Sequence, residues 1–226
     1  MNNRQKRILF LTGTVLLCCA VMLWIDGVLH PGYWAKSAAK VALFLLCPLL
    51  YSRIDPDFRP LQLFSLRKNS ILPALGLGVG VFAFIMAAYL VFSRLGDFSA
   101  ITGLLEETLG VDRDNFLLVA VYISFVNSLL EEFFFRGFAF FTLKKLTGGR
   151  FAWIFSAFSF AIYHTAMMLG WWDWWLFALA LAGLFVGGLL FNFLNQRTET
   201  IWCSWMVHMF ANFAINTVGC LLFGIL

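Results

Sequence analysis

The sequence predicts an all-α, polytopic bundle of about seven membrane-spanning helices, and three observations carry that expectation. Of the 226 residues, 62% are hydrophobic and 12% charged, about half the charge of an ordinary soluble domain, and the mean hydropathy is +0.85. Apolar runs long enough to cross a bilayer, roughly 18 residues or more, recur along the whole chain. The connections between them alternate in charge, as loops on opposite sides of a membrane do. No internal repeat divides the chain, so residues 1–226 read as one integral-membrane domain.

The first span is expected over 8–25, behind a short basic head (MNNRQKR, 1–7). The residues that follow, Asp26-Gly27-Val28-Leu29-His30-Pro31, do not form a small-residue cleavage site, so the run reads as a retained helix and not a signal peptide. Span two covers 34–51, with Lys36 and Lys40 near its start, where long side chains are expected to snorkel to the interface. The polar connection 52–70 contains Pro56 and Pro60 and has room for a short interfacial helix. In span three, 71–92, Pro73 lies in the first turn, where its missing N–H costs nothing, and Gly76, Gly78 and Gly80 permit close helix approach.

The connection 93–115 is the most acidic; its Glu106-Glu107 pair reads as a solvated face. Spans four to seven follow at 115–145, 151–170, 174–195 and 201–225. Trp171, Trp172, Trp174 and Trp175 around Asp173 read as an interfacial aromatic belt. All five cysteines fall in apolar segments without CxxC spacing, which suits small buried hydrophobes better than a disulfide frame or a thiolate metal site.

Charge bias supplies the orientation. The head, the 52–70 connection, and the turns at 144–150 and 196–200 hold 11 of the 16 Lys and Arg residues. In a seven-span chain these four alternate connections share one side, and the positive-inside rule makes it the cytoplasm. The N-terminus is then cytoplasmic and the C-terminus outside. The net charge of +4 is modest, and no nucleic-acid partner is expected.

Span four carries Glu131, Glu132 and Arg136 inside a membrane-length helix, where each unpaired charge costs about 2.5 kcal/mol or more. Such residues point to function by default. Asn127 stands one turn before Glu131, and Glu132 is i,i+4 from Arg136. Two of the three histidines also lie within spans: His164 in FAIYH (160–164) and His208 in HMFAN (208–212), with Asn212 one turn further along the same face. At about 1.5 Å per residue, Glu131 lies roughly 20 Å from Lys144, His164 roughly 20 Å from Phe151, and His208 and Asn212 about 10 and 16 Å from Ile201. These overlapping depths predict one shared chamber. A carboxylate held in an apolar site suits a general base acting on water, an imidazole can relay the proton, and a His with an Asn amide can stabilise a developing oxyanion. Ser128 lies near Glu131 in register but has no evident base or nucleophile elbow.

EEFFFRG (131–137), FAIYH (160–164) and HMFAN (208–212) follow the patterns EExxxR, FxxxH and HxxxN, in that order and on separate helices. Over about 115–215 the chain resembles the CPBP family of intramembrane proteases, also called the Abi or CAAX-protease-like family, which includes the CAAX prenyl endoproteases. The resemblance implies a membrane-embedded glutamic endopeptidase. In it Glu131 activates water with the help of His164, His208 and Asn212 hold the oxyanion, Glu132 and Arg136 organise the site by pairing, and Phe160 with Tyr163 shapes the pocket.

The resemblance also implies a membrane-associated peptide or protein as substrate, a bilayer as surroundings, and no cofactor. A divalent metal held by two His and one Glu is the disfavoured alternative, since HExxH spacing is absent. A non-catalytic binding or bacteriocin-immunity protein is the second reading, and a proton-coupled transporter the third; against the last, the deep acids are expected on one helix, with no counterpart in spans one to three. The expected location is the cytoplasmic membrane of a bacterium.

Overall fold

A charge inside a hydrocarbon-length helix has to find its partner within the protein, and this requirement shapes the bundle. The computed structural model describes residues 2–226, leaving aside the side chains of residues 68 and 69. Seven helices are long and apolar enough to cross a membrane: α1 (Asn3–Leu29), α2 (Tyr33–Ile54), α3 (Ser70–Phe92), α5 (Phe116–Thr147), α6 (Gly149–Met168), α7 (Trp174–Thr198) and α8 (Trp202–Leu222). A shorter helix, α4 (Ala100–Leu109), lies in the acidic connection with Glu106 and Glu107 exposed. The 52–70 connection contains one 3-10 turn, Pro60–Phe64. Among the described residues there is no strand. The protein is an integral, multi-pass membrane protein.

Each long helix buries a face that its sequence marks out. In α1 the buried residues Leu11, Val15, Cys18 and Met22 recur at helical spacing, and Asn2 with Gln5 closes the N-terminus as a capping box. α5 is the central helix. Phe134, Phe135, Phe138 and Phe140 are wholly buried, and Phe134 stacks on Phe44 of α2 with ring centroids 4.1 Å apart. Within α5 the ladder widens to π geometry over Ile123–Asn127 and Glu132–Phe140; such turns are frequent at functional sites. Gly148, at φ +77°, reverses the chain between α5 and α6.

The helices around α5 are held by close packing and by polar side chains bonded to backbone. α7 approaches α6 at Gly188, where a Cβ would come within 2.9 Å of the Ala157 Cα. Ser156 of α6 donates to the Phe135 carbonyl, and Asn192 of α7 donates to that of Trp153. α8 is stitched to α5 by Asn212 on the Ile123 carbonyl, Asn216 on the Ala120 carbonyl, and the Trp205 indole on the Phe125 carbonyl. α3 lies against α8, with Gly78 beneath the Phe210 ring. The five cysteines are free, four of them buried.

The four basic connections meet at one end of the bundle. Arg4 donates to the Leu146 carbonyl, Arg7 pairs with Asp55 and Asp57, Lys145 donates to the Asp57 carbonyl, and Arg67 pairs with Glu199. Thr200 and Ile201 both bond to the Leu63 carbonyl. These contacts join the head to the 52–70 and 144–150 segments, and the 52–70 segment to 196–200.

Two expectations change. Lys36 and Lys40 do not snorkel: they are buried, at 4% and 6% exposure. Each has an acid to meet inside the bundle, Lys36 at 2.8 Å from Asp26 and Lys40 at 3.1 Å from Glu131. Nor are the deep acids confined to α5, because α1 runs on to Leu29 and carries Asp26 in its last turns.

Because Gly188 has no room for a methyl group, Gly188→Ala should lower stability by about 1–3 kcal/mol through overpacking, read as an earlier thermal unfolding midpoint in detergent. Burial works against an ionised Asp55, but hydrogen bonds from Arg7, the Tyr51 hydroxyl and the Asp57 N–H outweigh it and hold this carboxyl below its ordinary range. Its stabilisation is therefore complete above the unfolded value, about pH 4, and is lost as pH falls through the lower folded value. The unfolding midpoint should decline from about pH 4 downward, and decline less in Asp55→Asn.

Candidate active site

α5, α6, α8 and α2 each send polar side chains to one buried point. Glu131, Glu132 and Arg136 come from α5, at 1%, 0% and 0% exposure. His164 stands where the α6 ladder breaks between Tyr163 and Thr165, and His208 projects from the middle of α8.

The two oxygens of Glu131 have different surroundings. Oε1 accepts from the Asn127 side-chain amide at 2.9 Å and from the Lys40 ammonium at 3.1 Å. Oε2 takes no hydrogen bond among the described residues. It faces His164 Nε2 at 3.7 Å and His208 Nε2 at 3.8 Å. The carboxylate is thus anchored by one oxygen and offers the other to two imidazoles.

Each ring is set by what its Nδ1 meets. His164 Nδ1 lies 2.7 Å from the Phe160 carbonyl, an acceptor only, so Nδ1–H donates there and Nε2 of the neutral ring carries its lone pair toward Glu131. His208 Nδ1 lies 2.9 Å from Glu132 Oε1, which turns the Nε2 edge of that ring toward Glu131. Aromatic walls fix both: Phe160 is edge-on to His164 and to His208, and Phe191 of α7 stacks on His208 at 5.1 Å.

Arg136 answers Glu132. Its Nη1 lies 3.2 Å from Glu132 Oε1, and its guanidinium is sandwiched between the rings of Phe160 and Phe191, at 4.1 and 4.8 Å. Stacked guanidinium groups favour such positions. Ser128 is committed to the Ser124 carbonyl, so its hydroxyl is not presented as a nucleophile.

Of the residues singled out in the sequence, Asn127, Glu131, Glu132, Arg136, Phe160, His164 and His208 lie together. Asn212 is one turn along α8 from His208, and one of its two N–H donors is directed to the Ile123 carbonyl in the first π turn of α5. Lys40 was missed. Two signals pointed to it: Lys36 and Lys40 are four residues apart on one face, and Lys40 is about 10 Å into its helix, deep for a side chain that is to reach the interface.

Removing the guanidinium would leave Glu132 buried beside His208 alone. Arg136→Met should therefore cost about 3–5 kcal/mol, seen as a lower unfolding midpoint in detergent. The double variant Glu132→Gln/Arg136→Met, which removes both charges, should recover part of that loss.

No curated protein and no solved structure gives a significant match to the chain. A family model described as Type II CAAX prenyl endopeptidase Rce1-like matches residues 113–214. That segment runs from just before α5 into α8 and includes all three motifs, whereas α1 to α3 lie outside it. Over residues 113–214 the chain is thus similar to type II CAAX prenyl endopeptidases of the Rce1-like kind.

Proposed function

We propose that the protein is an intramembrane glutamic endopeptidase that hydrolyses a peptide bond of a membrane-associated protein or peptide. The observation that carries this reading is the uneven loading of Glu131: Oε1 is bonded to Lys40 and Asn127, while Oε2 is turned to two imidazoles without a donor of its own. A water lodged between Glu131 Oε2 and His164 Nε2 gives one proton to the carboxylate as its oxygen attacks the substrate carbonyl. The same proton then passes to the departing amine, so that water and the peptide bond become an acid and an amine.

His208 and Asn212 stabilise the tetrahedral oxyanion. His208 donates to the oxyanion through Nε2–H while Glu132 holds its Nδ1–H; a carboxylate behind an imidazole is a recurrent way to support such a donor. Asn212 contributes the N–H not engaged by Ile123. As the water's proton moves to Glu131, the negative charge of that carboxylate passes to the oxyanion, where the His208 and Asn212 donors meet it. This electrostatic match favours the transition state over the ground state.

The basic end of the bundle is assigned to the cytoplasm, with the N-terminus inside and the C-terminus outside. One domain spans the whole chain, its catalytic core being the family-matched region. In this reading Glu131 activates the water with the help of His164, and no step calls for a metal.

The test is cleavage of a membrane-peptide library by purified, detergent-solubilised protein. Glu131→Gln and Glu131→Ala should lower turnover by at least about 10²-fold, the usual worth of a general base, and the wild type should keep its activity in chelator. Activity lost in chelator and restored by added Zn²⁺ would replace the water-only mechanism with a metal one, and cleavage unchanged in both Glu131 variants would remove Glu131 from the chemistry.

A further inference from the structure

We propose that Lys40, on a helix outside the family-matched segment, is a positioning residue: it clamps Glu131 by one oxygen and thereby turns the other toward His164 and His208. This rests on the proteolytic reading above and adds to it a residue from the N-terminal helices.

Three contacts close a ring. The Lys40 ammonium donates to Asn127 Oδ1 at 2.6 Å and to Glu131 Oε1 at 3.1 Å, and Asn127 Nδ2 donates to the same Glu131 oxygen at 2.9 Å. An ammonium has donors only, so it takes the carbonyl end of the Asn127 amide and turns the amino end to Glu131. Lys40 therefore acts twice on the carboxylate, once directly and once by fixing the direction of Asn127. A simple counter-charge would need only one contact and would leave the carboxylate free to rotate. Here both donors converge on a single oxygen.

The surroundings leave Lys40 few other roles. Its ammonium also lies 5.0 Å from the Tyr163 ring centroid, a cation–π contact next to His164 in sequence. The neighbouring cation on α2, Lys36, is balanced by Asp26 of α1, and Arg136 is taken by Glu132. The charged and titratable groups gathered around Glu131 are Lys40 from α2, His164 from α6, His208 from α8, and Glu132 with Arg136 from α5, with Tyr163 of α6 and Tyr33 and Lys36 of α2 beyond them. Among the described residues Lys40 is the one permanent cation in direct contact with Glu131.

The experiment has two arms, both on the full-length protein in detergent near neutral pH. In the infrared arm, Lys40→Met should gain the carbonyl band of a protonated carboxylic acid, absent from wild type and lost again in Lys40→Met/Glu131→Gln, because a buried carboxylate without its cation takes up a proton. In the kinetic arm, Lys40→Met should lose about 10²-fold in kcat, as misplaced catalytic groups do, with little change in KM. Lys40→Arg should retain more of kcat than Lys40→Met. The paired variant Asp26→Asn/Lys36→Met, which removes buried charge from α1 and α2 without touching Glu131, should keep kcat.

Absence of the band in Lys40→Met would overturn the clamp, and so would an equal loss of kcat in the Asp26/Lys36 variant. Absence of cleavage by wild type would overturn the proteolytic reading instead, and the infrared arm would still decide whether Lys40 holds Glu131.

Discussion

An ion in the middle of a hydrocarbon layer is tolerated only beside an opposite charge, and the interior of this protein is arranged around three such pairs: Asp26 with Lys36, Glu131 with Lys40, and Glu132 with Arg136. Each joins particular helices. The first holds α1 to α2, the second α2 to α5, and the third stiffens α5 and, through His208 on Glu132, reaches α8. The penalty for separating them is greatest where no water can replace the partner. The pairs therefore set how the helices rotate against one another, while phenylalanine packing fills the space between. The aim of the two buried carboxylates of α5 is set by that rigidity.

The backbone of α5 departs from α-helical geometry where its buried polar side chains are concentrated. Its widened turns cover Ile123–Asn127 and begin again at Glu132, on either side of the short α-helical stretch that ends at Glu131. The first leaves the Ile123 carbonyl able to accept both the Ser128 N–H and the Asn212 amide. Side-chain amides thus dock α8 on backbone that a regular helix would have kept for itself. This is a recurrent use of polar residues between membrane helices, where an amide otherwise has nothing to bond.

Much of this was legible in the sequence because hydropathy is a strong signal when a bilayer is the solvent. Seven spans emerged with ends displaced by a few residues, and Glu131, His164 and His208 could be assigned a common depth from rise per residue alone. What remained hidden was lateral. Depth along a helix axis follows from counting, but which helices are neighbours does not, so Lys40 looked like an interfacial lysine until α2 was seen packed on α5. Asp26 was hidden for a related reason: the first span was ended at Ile25, one residue before it, when the helix continues to Leu29. The π turns left no trace in composition, because widened turns here are made of the same apolar residues as the helix around them.

The pairing also bears on how the chain enters its membrane. Asp26 and Lys36 belong to the same first hairpin and can neutralise each other as soon as α2 has been made. Lys40 cannot be satisfied there, because Glu131 lies 91 residues further along the chain. A nascent hairpin of α1 and α2 thus carries a single unbalanced ammonium, at a cost of about 2.5–3.5 kcal/mol near the helix centre, until α5 has been synthesised and arrives beside it. Full burial of the Lys40 charge is thus deferred until the late helices are in place.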